Sequence, residues 1–171
     1  MIHHVSIPAR NPEHVAGVLA EIMGGRSMPF GPLEGAFMAT GTDGTMIEIY
    51  PDKATLDIPA KDDQVVFGEN QAPPQTWPFH MFLSVPLDDE QVERIGQREG
   101  WRTKTFGRGM QGHKPFFHVI EFWVENRLMI EVAPPAMARE YEDFLKNAAG
   151  RMRNDPEALR LMRATHIKEP A

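Results

Sequence analysis

A chain of 171 residues with 42% hydrophobic and 25% charged residues suits one domain, or two small halves sharing a core, and is too apolar for global disorder. Its formal net charge of −6, with 18 basic and 24 acidic residues and no basic block, argues against nucleic-acid binding. The absence of cysteine excludes disulfides, thiolate metal sites and cysteine nucleophiles, and fits a reducing cytoplasm. The start, Met1-Ile2-His3-His4, has no basic region followed by an apolar run, and no apolar stretch nears the roughly 20 residues of a membrane helix. A cytoplasmic protein without a membrane partner is the expectation.

The first predicted element is a strand over residues 2–8, opened by His4-Val5-Ser6-Ile7-Pro8. Asn11-Pro12-Glu13 then supplies a cap, a proline for the first helical position and a first-turn acid, so a helix is expected over 12–23. Gly24-Gly25 ends it. Three strands follow, at 26–30, 36–41 and 45–50, the last two joined by the hairpin signal Asp43-Gly44. The last strand reads Met46-Ile47-Glu48-Ile49-Tyr50-Pro51. Residues 52–76, with Pro59, Pro73 and Pro74, form a linker or lid in which Val65-Val66-Phe67 suggests a short strand.

The same order then repeats. His80-Met81-Phe82-Leu83-Ser84-Val85-Pro86 matches the first strand, and Asp88-Asp89-Glu90 starts a helix over 89–98 that Gly100 ends. Strands are expected at 102–106, 116–124 and 128–133, with Asn126-Arg127 at the last turn. Met129-Ile130-Glu131-Val132-Ala133-Pro134 repeats the Met-Ile-Glu-(Ile/Val)-x-Pro pattern. A helical tail occupies 135–171, with Met137, Tyr141, Phe144, Leu145 and Ala148 at helical spacing, a stop at Gly150 and a new start at Asp155-Pro156-Glu157. The expected fold class is α+β: two paired βαβββ modules, residues 1–51 and 77–134, forming a cup-shaped mixed sheet with a helical C-terminal tail.

Strand alternation sorts the faces. Val5 and Ile7 oppose His4 and Ser6; Ile47 and Ile49 oppose Glu48; Met81 and Leu83 oppose His80 and Phe82; Ile130 and Val132 oppose Glu131. If the halves pair about a pseudo-twofold axis, His4, Glu48, His80 and Glu131 converge as two imidazoles and two carboxylates, a donor set suited to one divalent ion with open positions. Each residue alone has a plain reading, a hydrogen-bonded strand His or a solvated Glu; the repeat at equal offsets raises the metal reading above it. Tyr50, Phe82 and Phe122 are candidate aromatic walls, though such residues are more often core. A two-residue loop at 125–128 would put His118, Ile120 and Phe122 on the face of Glu131. His113 sits in a glycine-flanked loop, and His3, His14 and His166 have no counterpart and are read as structural or exposed.

On these motifs, residues 1–134 resemble the vicinal oxygen chelate superfamily, which includes glyoxalase I, extradiol dioxygenases and the bleomycin and fosfomycin resistance proteins. The resemblance implies ligands on the first and last strands of each module, matching His4, Glu48, His80 and Glu131. The implied cofactor is one divalent ion (Ni, Zn, Mn, Co or Fe), and the implied activity is a lyase or isomerase acting on a small molecule with vicinal oxygens. Glu131 is the preferred base, with more room to swing beside Ala133, and Glu48 is its competitor. A ring-cleaving iron dioxygenase using His4, His80 and Glu131 is the alternative enzyme. A protein that sequesters a drug in the same cup without turnover is the alternative from another class. A homodimer is expected, because the tail carries an apolar stripe that needs cover.

Overall fold

The computed structural model describes residues 2–31, 33–60, 64–109 and 114–151. The first half consists of β1 (His4–Ala9), α1 (Pro12–Ile22), β2 (Arg26–Pro29), β3 (Phe37–Thr40) and β4 (Met46–Pro51). A hairpin of β5 (Ala54–Asp57) and β6 (Val66–Glu69) follows, so the linker holds two strands rather than one. The second half consists of β7 (Phe82–Ser84), α2 (Asp89–Glu99), β8 (Thr103–Arg108), β9 (Phe117–Val124) and β10 (Leu128–Ala133). The long helix α3 (Pro135–Arg151) runs past Gly150, where a stop was expected. The second tail helix expected from Asp155, and His113 and His166, lie outside the described residues.

The two halves share one topology. Their sheets run β1-β4-β3-β2 and β7-β10-β9-β8, each with a parallel pair joining its first and last strands and antiparallel pairs elsewhere. The α+β fold of two βαβββ modules is therefore present. The helix starts follow the expected chemistry. Asn11 accepts from the His14 backbone N–H ahead of Pro12, and Asp88 forms a reciprocal capping box with Gln91. Gly100 caps α2 at φ 67°, a left-handed conformation costly for other residues.

One core joins the halves. Ile7, Ile47 and Ile49 from the first sheet and Ile120, Phe122, Ile130 and Val132 from the second lie in one buried cluster with α1. Helix α1 buries Val15, Ala16, Val18, Leu19, Ala20 and Ile22, a wide apolar face, because it packs on its own sheet and also meets the second half, and it leaves Glu13, His14, Gly17 and Glu21 exposed. Helix α2 buries only Val92, Ile95 and Gly96. The polar edge of this junction is also built. Arg98 makes a two-pronged pair with Glu21 at 2.7 and 3.0 Å, and Glu125 accepts from the backbone N–H groups of Arg10 and Asn11 at 2.8 and 2.9 Å.

His14, which the sequence left without a role, pairs with Glu99 at 2.6 Å, edge-on to Trp101. Burial works to raise the Glu99 carboxyl, but bonds from Arg98 and His14 outweigh it and hold the group below its ordinary value. A carboxyl depressed in the folded state adds stability that is full above its unfolded value and is lost as pH falls toward the folded one. Thermal melts taken from pH 7 down through pH 3 should therefore lose stability on the acid side, and Glu99→Gln should flatten part of that loss. An unchanged acid slope in the variant would remove Glu99 from the account.

Two register details differ from expectation. Strand β7 starts at Phe82, so His80 lies in the exposed run before the strand rather than on it. The turn between β9 and β10 has three residues, since Val124 pairs with Leu128. Glu125 and Asn126 both take positive φ, at 49° and 56°, and the turn closes through Asn126 N–H to the Trp123 carbonyl at 2.9 Å. The extra residue shifts the register by one. Glu121, not Ile120 or Phe122, stands opposite Glu131.

Candidate functional site

On the first sheet, β1 and β4 lie parallel with Ser6 beside Glu48. Glu48 is a carboxylate only 8% exposed. Its Oε2 accepts from Ser6 Oγ at 2.8 Å and from Tyr50 OH at 3.2 Å. Its Oε1 faces His4 Nε2 at 3.7 Å, beyond hydrogen-bond range, and the His4 side chain is 53% exposed. Burial first, and then the adjoining Glu48 carboxylate, push the Tyr50 hydroxyl up to about 12. The Tyr50 ring meets Phe30 edge-on and Phe67 at a tilt, so β6 supports it from outside the module.

Beside Ser6 and Tyr50 opens a cavity of about 260 Å³, walled by Pro8, Asp52, Leu56 and Trp77. The β5–β6 hairpin and the segment holding Pro74 and Trp77 form its far side. Arg127, from the turn of the second half, ties that segment down. It donates to Asp52 at 2.9 Å and to the Pro74 carbonyl at 2.8 Å, and its guanidinium lies 4.9 Å from the Trp77 ring centre.

The second sheet is arranged differently. Glu131 stands beside Phe82 and opposite Glu121. Arg108 reaches across from β8 and serves both acids, with Nη2 at 2.7 Å from Glu131 and 2.9 Å from Glu121. Trp123 Nε1 donates to Glu121 at 3.4 Å. Helix α3 lies on the same face: Tyr141 stacks on Phe82 at 4.1 Å and meets Phe117 edge-on at 5.0 Å, and Phe144 stacks on Phe116 at 5.3 Å. Glu140 accepts from the His118 N–H and pairs with its Nδ1 at 2.9 Å, and these bonds with His118 hold the Glu140 carboxyl below its usual value.

The expected residues therefore separate. His4, Glu48 and Tyr50 come together on the first sheet, and Glu131 and Phe82 on the second. His80 is exposed and lies just before β7, one residue from the Met81 carbonyl that accepts from Glu131 N–H. Phe122, expected in the cup wall, is fully buried in the shared core against Trp101, because the three-residue turn sends it to the helix side. His118 shares that parity, and its Nδ1 pairs with Glu140 of α3 rather than with Glu131. Arg108 is the site residue the sequence reading missed; two acids opposite each other on paired strands require a cation nearby.

These donors do not fit a four-donor divalent centre. The Arg108 guanidinium binds Glu131 Oε1 and puts a positive charge beside the carboxylate, which opposes a second cation there. Among the described residues no three imidazole, carboxylate or thiolate groups stand close enough to hold an ion. No helix among the described residues is long and apolar enough to cross a membrane.

Two βαβββ modules with the strand order 1-4-3-2 in each define the architecture. This is the paired-module architecture expected from the repeated motifs. No family model matches the chain. No curated protein matches it either. Among solved structures, it is similar to a glyoxylase/bleomycin resistance protein/dioxygenase domain from Frankia sp. EAN1pec, at 15% identity and TM-score 0.48 over 77% of this chain and 94% of that one. It is similar to lactoylglutathione lyase from Agrobacterium tumefaciens, at 11% identity and TM-score 0.47 over 80% and 94%. The fosfomycin resistance protein FosX from Listeria monocytogenes is similar at 12% identity and TM-score 0.48 over 84% and 97%.

Proposed function

We propose that this chain is a small-molecule-binding protein of the vicinal oxygen chelate fold, with its ligand seated in the cavity between the first sheet and the β5–β6 hairpin. The observation that carries the reading is the built cavity itself, with Ser6 and Tyr50 hydrogen-bonded to buried Glu48 on one side and Leu56 and Trp77 on the other. A pocket of this make-up, apolar walls with a few fixed polar groups, is the usual form of a ligand site. On the second sheet, by contrast, Tyr141 of α3 stacks over Phe82 and Arg108 neutralises Glu121 and Glu131.

A second reading, the metal-dependent lyase or isomerase acting on vicinal oxygens, draws on His4 Nε2 and Glu48 Oε1, 3.7 Å apart and open to an additional donor. It requires further ligands from outside this arrangement, such as a second copy in a homodimer. Exposed apolar side chains on the hairpin, Leu56, Ile58, Val65 and Val66, give such an assembly a surface to bury.

Metal analysis separates the two. Protein equilibrated with nickel, zinc, manganese, cobalt or iron and then desalted should retain well under one ion per chain, and should not turn over α-ketoaldehyde hemithioacetals or catechols. A panel of small aromatic compounds should raise its melting temperature, with the indole signal of Trp77 shifting on binding. One tightly held ion per chain, lost in both Glu48→Ala and Glu131→Ala, would replace the binding reading with the metal one.

A further inference from the structure

We propose that the cavity selects a small organic cation, a protonated amine carrying an apolar or aromatic body. The inference rests on the binding reading above and adds the charge and hydrogen-bonding sense of the ligand.

The argument starts from where the hydroxyl protons go. A serine or tyrosine hydroxyl has one proton to donate and lone pairs to accept. Ser6 Oγ and Tyr50 OH both give theirs to Glu48 Oε2, at 2.8 and 3.2 Å. What these two oxygens can offer the cavity is therefore acceptance. A ligand that also accepts, such as a carboxylate, a phosphate or a bare carbonyl, meets lone pair against lone pair. A ligand that donates N–H groups meets two oriented acceptors.

Charge points the same way. Glu48 is 92% buried on the other side of those hydroxyls, one hydrogen bond from the cavity, and its hydrogen-bond partners there are the neutral hydroxyls of Ser6 and Tyr50, with half-exposed His4 at 3.7 Å. None of the cavity residues is Lys, Arg or His. The only charged group on the wall, Asp52, is balanced by Arg127 at 2.9 Å. The field inside the cavity is thus set by a buried carboxylate, and in surroundings of lowered dielectric it favours a cation. Apart from the neutral polar groups of Thr55 and Asn70, the rest of the wall, including Pro8, Leu56 and Trp77, accepts an apolar body. A volume of about 260 Å³ suits a single ring or a short branched chain rather than a fused polycycle.

Three probes with one body and three charges test it: benzylammonium, benzyl alcohol and benzoate, titrated calorimetrically at neutral pH and low salt, with the Trp77 indole followed by NMR. Benzylammonium should bind about tenfold or more tighter than benzyl alcohol, with benzoate weakest, since charge-assisted hydrogen bonds are the stronger ones. Glu48→Gln should cost benzylammonium about tenfold and leave benzyl alcohol nearly unchanged. Ser6→Ala, which removes one acceptor at an exposed position, should weaken benzylammonium less, and supplies the reading if the Glu48 variant does not fold. Benzyl alcohol or benzoate binding as tightly as the ammonium, with the Trp77 signal moving, would overturn the charge selection and leave the pocket standing. No shift at Trp77 with any probe at millimolar concentration would overturn both.

Discussion

Replacing Phe122 with alanine should lower the free energy of unfolding by about 3–5 kcal/mol, the cost of a large aromatic lost from a tight core. The side chain is fully buried on β9 and meets the Trp101 ring edge-on at 5.6 Å. Trp101 in turn touches His14 of α1, so the void would open where the second sheet meets the first helix. Because one core serves both halves, the loss should appear as a single shifted transition. Urea unfolding followed by tryptophan fluorescence and by far-ultraviolet circular dichroism checks this. Coincident curves with a lowered midpoint are expected, and a loss below about 1 kcal/mol would mean that the site collapses around the void.

Arg127→Ala should cost a comparable amount, about 3–5 kcal/mol, for a different reason. The guanidinium is 6% exposed, and among the described residues its Nε is a buried polar atom with no partner. What it provides is neutralisation of Asp52, a donor for the Pro74 carbonyl and a flat surface for Trp77. Truncation leaves a largely buried carboxylate without its cation, which costs more than the pair contributes in the first place. Arg127→Met together with Asp52→Asn should therefore recover a large part of the loss. Lysine, with one compact charge, should not substitute for the forked donor. Thermal melts of the wild type, Arg127→Ala, Arg127→Lys and the double variant read this directly. A single Arg127→Ala variant melting with the wild type would show that solvent already screens Asp52.

The fold was legible because its signals were local. Asn11-Pro12, Asp88 through Gln91, and Gly100 each act within one helix turn, and the Met-Ile-Glu pattern marks the same β strand twice. The site was less so, because its decisive facts turn on one residue of register. Asn126-Arg127 looked like a two-residue turn, yet Glu125 also enters the left-handed region while its side chain caps the start of α1, and no window of sequence around residue 125 contains that partner. That shift moved Phe122 into the core and brought Glu121 to Glu131. Arg108 sits 23 residues from Glu131 in sequence, and only strand pairing puts it between two acids. The helical spacing of Met137, Tyr141 and Phe144 was visible as a stripe, but nothing in the stripe says which sheet face it will lie on.

The position of α3 sets how many ligands each chain can take. A duplicated chain begins with two equivalent open sheet faces, and equivalence would imply two sites. Here one of them holds Tyr141 against Phe82 and Phe117. That occupant is tethered through Pro134 directly to β10, so its local concentration over the face is of millimolar order or above, beyond the reach of most free metabolites. Saturation of the cavity beside Ser6 and Tyr50 should end at one molecule per chain, with Tyr141 rather than a free ligand over the corresponding face of the second half.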